Sequence, residues 1–237
     1  MDPHSGTHDM IITNNHLHHN PIGVICSDRC SNILIEGNLV EHNTDHGIFF
    51  SRNMYDSILR GNYIYNSSTG ITVSESPNNQ IYDNTIDGAT SQGIRLFNPE
   101  LPDDGVTEGN IVYNNIITSS EDGIAAARSH DNIVENTTFS DIESSEYSLS
   151  GDSSITIRGQ QFDNALIAQE GSATENHVEI VDSGIIEVTE GETDEEENDD
   201  DGSGDDEEGE GNLYNTYNEP FRRTLSDGDS ITVNSSS

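Results

Sequence analysis

Asp2 and His4 place a carboxylate and an imidazole two residues apart, and Ser27, Ser51 and Arg52 add two hydroxyls and a guanidinium further along the chain. Carboxylates and imidazoles exchange protons, and a guanidinium grips anions through a planar fork of donors. Such a set has the chemistry for acid–base work on an anionic ligand, provided some element brings residues so distant in sequence onto one face. Arg29, His46, Phe49 and Arg95 fall close enough to the same pattern to be candidate ligand contacts.

The positioning element is a repeat. Glycine followed by an apolar residue recurs at Gly23, Gly47, Gly70, Gly93 and Gly123, at spacings of 24, 23, 23 and 30 residues. Asparagine recurs in parallel at Asn15, Asn38, Asn62, Asn84, Asn114 and Asn136, each preceded three residues earlier by Ile12, Ile35, Leu59, Ile81, Ile111 or Ile133. Both columns place one long interval at the same site, so the extra residues fall near Asn98–Val106. Short apolar–polar alternations, β-branched residues and turn-forming Asn and Gly exclude a helical solenoid. Coils of 22–24 residues with three strands and three turns predict an all-β parallel β-helix. Stacked asparagines about 4.8 Å apart would bond along the column, a structural role. Positions two and four after each glycine should point outward, which puts Asp2, His4, Ser27, Ser51 and Arg52 beside a common groove.

Composition sets further limits. There are 45 acidic and 8 basic residues, every basic one an arginine, for a net charge of −37. Fifteen of the acidic residues lie between Glu187 and Glu210, a stretch expected to be disordered. The rest of the surface still repels itself, which points to a protein adapted to high salt or to an acidic face meeting a basic partner. No basic patch exists to meet phosphates, so nucleic acid is excluded as a partner. No apolar run reaches membrane-spanning length. The chain therefore divides into a β-helix over 1–188, an acidic linker over 189–211, and a C-terminal segment over 212–237 with a short strand near Ser230–Val233. Ser154–Arg158 and His177–Val188 read as less regular rungs. Cys26 and Cys30 fit no common zinc spacing and make no disulfide framework; a buried thiol and a turn residue are expected, with a bond between the two left open. His16, His18, His19, His42 and His46 lie near Asp9, Asp28 and Asp45, and exposed turn histidines are the simpler reading beside a metal site.

Counting back one coil from Gly23 puts a glycine position just before Met1, so the chain is expected to start inside a coil, as a fragment. Asp2-Pro3-His4 resembles the end of the Tyr-Gly-x-Asp-Pro-His signature of the mannuronan C5-epimerases, right-handed parallel β-helix enzymes of the pectin-lyase-like superfamily. His46-Gly47-Ile48-Phe49-Phe50-Ser51-Arg52, followed by Asp56-Ser57, is similar to their His-Gly-Ile-x-x-Ser-Arg coil. The likeness covers about residues 1–140.

The resemblance implies a reaction. A positive group neutralises a uronate carboxylate, a base removes the C5 proton, and an acid returns one from the opposite face. His4 would transfer the proton, Asp2 would orient it, and Arg52 would bind the carboxylate. Ser27, Arg29, His46, Phe49, Ser51 and Arg95 would contact the polymer. The family's tyrosine would lie before Met1, so little epimerase activity is expected of this chain. The Ser-Arg coil follows Asp-Pro-His by two coils where some relatives use one, so Arg52 is expected at a neighbouring sugar, with Arg29 as its rival. Phe49 and Phe97 either stack on sugar rings or lie under a loop, and Arg95 and Arg128 either meet a ligand or neutralise nearby carboxylates. The expected partner is an anionic polysaccharide, bound by a monomer that is extracellular or at the cell surface. No cofactor is required, with Ca2+ left open as a bridge between acidic protein and acidic polymer. A polysaccharide lyase and a non-catalytic β-helix module are the alternatives.

Overall fold

The computed structural model describes residues 1–99, 105–159 and 176–181 in full. It describes the backbone alone of the strands Asp163–Glu170, Ile185–Glu190, Tyr214–Thr216, Phe221–Leu225 and Ile231–Ser235. The chain winds into a right-handed parallel β-solenoid of about 7 turns. Sheet A stacks the strands His8–Thr13, Ser31–Glu36, Ile58–Arg60, Gln80–Tyr82, Ile111–Tyr113, Asn132–Glu135, Ser154–Arg158 and Asn176–Val181. Sheet B stacks His16–His18, Leu39–Glu41, Tyr63–Tyr65, Thr85–Asp87, Ile116–Thr118 and Thr138–Ser140. Sheet C stacks Ile22–Ser27, His46–Ser51, Thr69–Ser74, Gln92–Phe97, Asp122–Ala127 and Ser145–Ser150. Among the described residues no helix is long and apolar enough to cross a membrane.

Alternation builds the core. Sheet A turns Ile12, Ile35, Leu59, Ile81, Val112 and Val134 inward, and sheet B turns in Val40, Ile64, Ile86 and Ile117. Sheet C adds Val24, Ile48, Ile71, Ile94 and Ile124, then Cys26, Phe50, Val73, Leu96 and Ala126. Each large aliphatic side chain so buried contributes roughly 1.5–3 kcal/mol. The glycine column exists because nothing larger fits where sheet B meets sheet C. A Cβ on Gly47 would lie 2.6 Å from the Gly70 carbonyl oxygen and 2.6 Å from Ile64 Cγ2.

The asparagine ladder is present, displaced by one residue in its upper coils. Asn15, Asn38, Asn62, Asn84 and Asn115 bond in series, each side-chain oxygen accepting from the amide of the coil below. Asn114 and Asn136 instead occupy the preceding turn position, with φ of 53° and 45°. That position is filled elsewhere by Asn14, Gly37, Gly61 and Asp83, all in the left-handed region that these residue types tolerate. Ile111 and Ile133 accordingly face outward, and Val112 and Val134 take the core. A second ladder, Asn79–Asn110–Asn132, lines the turn from sheet C to sheet A.

Cys26 and Cys30 correct the expectation of a free thiol. They form a disulfide across the turn that closes the Ile22–Ser27 strand, and both are fully buried. The long interval is where the spacing put it, after Asn98; its residues 100–104 lie outside the described residues. The two flanks stay together, with Thr107 N–H donating to Asn98 Oδ1 at 2.8 Å. Ser154–Arg158 is a rung as expected, and strands Asn176–Val181 and Ile185–Glu190 occupy the next expected rung. Most of the acidic linker, 191–211, lies outside the described residues. The strand Ile231–Ser235 pairs antiparallel with Asp163–Glu170 and Ile185–Glu190, and Phe221–Leu225 with Asn176–Val181.

Candidate functional site

Residues 1–4 extend sheet C in register. The Met1 amino group donates to Gly23 O at 2.7 Å, Ile25 N–H to Met1 O at 3.0 Å, and Ser27 N–H to Pro3 O at 3.5 Å. Parallel pairing of this pattern sets Met1 opposite Val24, Asp2 opposite Ile25 and His4 opposite Ser27. Pro3 is buried opposite Cys26, and Asp2 and His4 are exposed.

Three outward columns follow from that register. The first carries Asp2, Ile25, Phe49, Thr72, Arg95, Ala125 and Ser148. The second carries His4, Ser27, Ser51, Ser74, Phe97, Ala127 and Ser150. The third is the turn beyond the strands, where Asp28, Arg52, Glu75, Asn98 and Arg128 succeed one another, each bonded through its backbone N–H to the coil above. Asp28, Arg52, Glu75 and Arg128 all have positive φ, so the turn repeats its shape while its side chains change charge.

The face brings some expected residues together and separates others. Arg52 is exposed two coils from His4, about 10 Å along the stack, and so does not meet it. Arg29 lies nearer but turns to Asp28, with Nε 3.7 Å from Oδ1. Ser27 is half-buried and Ser51 buried. The tightest polar arrangement lies further up. His46 Nδ1 is 2.9 Å from Thr72 Oγ1, its Nε2 is 3.4 Å from Asp45, and its ring packs 4.7 Å from that of Phe49. Burial, and then the charge of Arg95, hold the His46 imidazole below its usual value against the opposing pull of Asp45. Phe49 and Phe97 are both half-buried on this outer face. Phe97 is covered in part by arginines, with Arg95 Cζ 4.1 Å and Arg128 Cζ 5.3 Å from its ring centre.

Thr72 was not singled out in the sequence, although it lies in a column the glycine register defines. The sequence marks Asp45 only as a carboxylate near the histidines, since its part here depends on the bend that turns it toward His46. The other histidines form a surface chain: His16 Nε2 meets Glu41 at 2.7 Å, His18 and His19 bond through Nδ1 at 2.9 Å, and His42 bonds Asn66 at 2.8 Å. Among the described residues no group of three or more His, Cys, Asp or Glu side chains could hold a metal ion.

Residues 4–117 match the family model described as the right-handed beta helix region. The match names a fold. No curated protein sequence matches the chain. A hyperthermoactive exopolygalacturonase from Thermotoga maritima is similar in structure, with a TM-score of 0.37 and 11% identity over 68% of this chain and 54% of that enzyme. The chain thus spans about half the length of that enzyme.

Proposed function

We propose that the outward face of sheet C binds a uronic-acid polysaccharide, with Asp2-Pro3-His4 as the proton-transfer end of a C5-epimerase type of site. The carrying observation is the pairing of residues 1–4 with Gly23–Ser27, which sets Asp2 and His4 at the head of the two columns that bear Phe49, Arg95 and Phe97. An imidazole on an exposed strand edge reaches a proton on a sugar lying across the coils, and Asp2, on the same face, tunes its charge. Arg52 serves a neighbouring carboxylate, because two strand spacings separate it from His4. Aromatic rings on the same face suit the flat faces of sugar rings. The buried Cys26–Cys30 disulfide directly beneath supports an extracellular or cell-surface setting.

Inversion at C5 needs a second proton-transfer group on the opposite side of the sugar; beside His4 the first two columns offer Ile25 and serines, and the nearest carboxylate of the third, Asp28, is paired with Arg29. Binding with little or no net epimerisation by this chain is the expected behaviour. The test is titration of mannuronate oligomers together with C5 proton exchange in heavy water. Binding that His4→Ala leaves intact, with any exchange abolished by that change, fits the reading. Exchange unaffected by His4→Ala removes His4 from the chemistry, and absence of binding removes the reading altogether. An unsaturated product absorbing in the ultraviolet would identify a lyase instead.

A further inference from the structure

Arg95 and Arg128 are two of eight basic residues in a chain with 45 acidic ones, yet they lie against the same phenylalanine ring. Arg29, Arg60 and Arg158 each pair with a carboxylate, on Asp28, Glu36 and Glu135. Among the described residues Arg95 and Arg128 pair with none. Burial first, and then the like charge of Arg128, hold Arg95 below its usual guanidinium value, against the opposing pull of Asp45. Arg128 is fixed in place: its Nε donates to Asn98 O at 2.8 Å, and Asn98 Nδ2 donates to Arg128 O at 2.7 Å. Among the described residues its terminal nitrogens have no hydrogen-bond partner. In the two coils beyond, the outward columns shrink to Ala125, Ser148, Ala127 and Ser150, a low floor with two hydroxyls.

We propose that Arg95 and Arg128 jointly hold the carboxylate of one acidic sugar unit, with Phe97 as the shared platform and Ser148 and Ser150 placed for its hydroxyls. The inference rests on the polysaccharide reading above and adds a subsite four strand spacings, about 19 Å, from His4.

The test is calorimetric titration of the full chain with mannuronate hexamer, with galacturonate hexamer, a neutral hexasaccharide and inorganic sulfate as comparison arms. The wild type should bind the uronates and not the neutral oligomer. Arg95→Gln and Arg128→Gln should each weaken uronate binding about tenfold, the double variant should lose less than the product of the two, and Arg95→Lys should recover part of the loss. Circular dichroism checks that each variant keeps its sheet content. If the wild type binds uronate and the double variant binds it equally well, the clamp is wrong while the polysaccharide reading stands. If the wild type binds no uronate, both fall. Sulfate bound as tightly as uronate, and displaced by it without preference, would reduce the pair to a simple anion site and overturn the sugar assignment.

Discussion

His46 and Thr72 are joined side chain to side chain, Nδ1 to Oγ1 at 2.9 Å, across one coil boundary on the outer face of sheet C. With the Nε2 proton turned toward Asp45, Nδ1 accepts from the threonine hydroxyl and the ring is neutral. Because burial outweighs the opposing charge of Asp45 and Arg95 adds to it, the folded protein binds this proton more weakly than the unfolded chain. The imidazole should therefore titrate below about 6.5. Its contribution to stability is present at neutral pH and lost as pH falls through the folded value. Arg95→Gln should move the titration upward. Proton–carbon NMR of the ring would show both effects, and an ordinary titration unmoved by Arg95→Gln would remove the electrostatic link between the two residues.

The glycine column gives a sharp contrast between two substitutions. Gly47→Ala forces a methyl to within 2.6 Å of a backbone oxygen and of a core methyl group, and should cost about 3 kcal/mol. Gly61 has φ of +60° and nothing within 4 Å of where a Cβ would stand, so its constraint is conformational alone. Gly61→Asn should be nearly neutral, since asparagine tolerates that backbone. Chemical denaturation of the two variants checks the difference; equal losses would mean that the column is not set by close packing.

The glycine and asparagine spacings revealed the β-helix because each coil must repeat the same steric solution. The register of Asp2 and His4 was legible for the same reason, since Gly23 alone sets it. The Asn114-Asn115 pair was not, because both positions of that turn accept asparagine and Ile111-Val112 offers two apolar candidates for one core position. A slip of one residue exchanges the faces, and hydrogen bonding alone decides it. The disulfide was hidden because two cysteines four positions apart gain meaning only once the chain turns back between them. The Arg95–Arg128 pairing was hidden because the 30-residue interval separates them.

Asn115→Ala tests that register directly. Asn115 Oδ1 accepts from the backbone and side-chain amides of Asn84 at 3.1 and 3.0 Å, and its Nδ2 donates to Ile81 O at 2.9 Å. Removing it orphans buried groups on both sides, at about 2–3 kcal/mol. Asn114→Gly, at the exposed left-handed position, should change stability by only a few tenths of a kcal/mol. A larger loss from Asn114→Gly would restore Asn114 to the ladder.

Glu146 takes the column position that Gly123 holds one coil earlier, and burial pushes its carboxyl up to about 7. The folded state therefore keeps a proton that the unfolded chain has already released above about pH 4.5. Its contribution is fully present below that value and is lost as pH rises to about 7. Glu146→Gln should match the wild type near pH 4 and exceed it at pH 8, by roughly 1–2 kcal/mol after allowing for the screening of a half-buried group. Melting curves of both proteins across that range supply the comparison, and parallel curves would show the carboxyl to be solvated.

Salt should stabilise the whole molecule. A net charge of −37 leaves the folded surface under mutual repulsion, which the unfolded chain relieves by expanding. The Debye length falls from about 10 Å at 0.1 M to about 3 Å at 1 M, less than one strand spacing, so neighbouring coils cease to feel each other's carboxylates. Raising potassium chloride from 0.1 to 2 M should lift the melting temperature by on the order of 5–10 °C. Most of the gain should come below 1 M, where the screening length changes most. A melting temperature that is flat or falls over that interval would show that the acidic surface needs no screening, and would remove the case for a protein adapted to high salt.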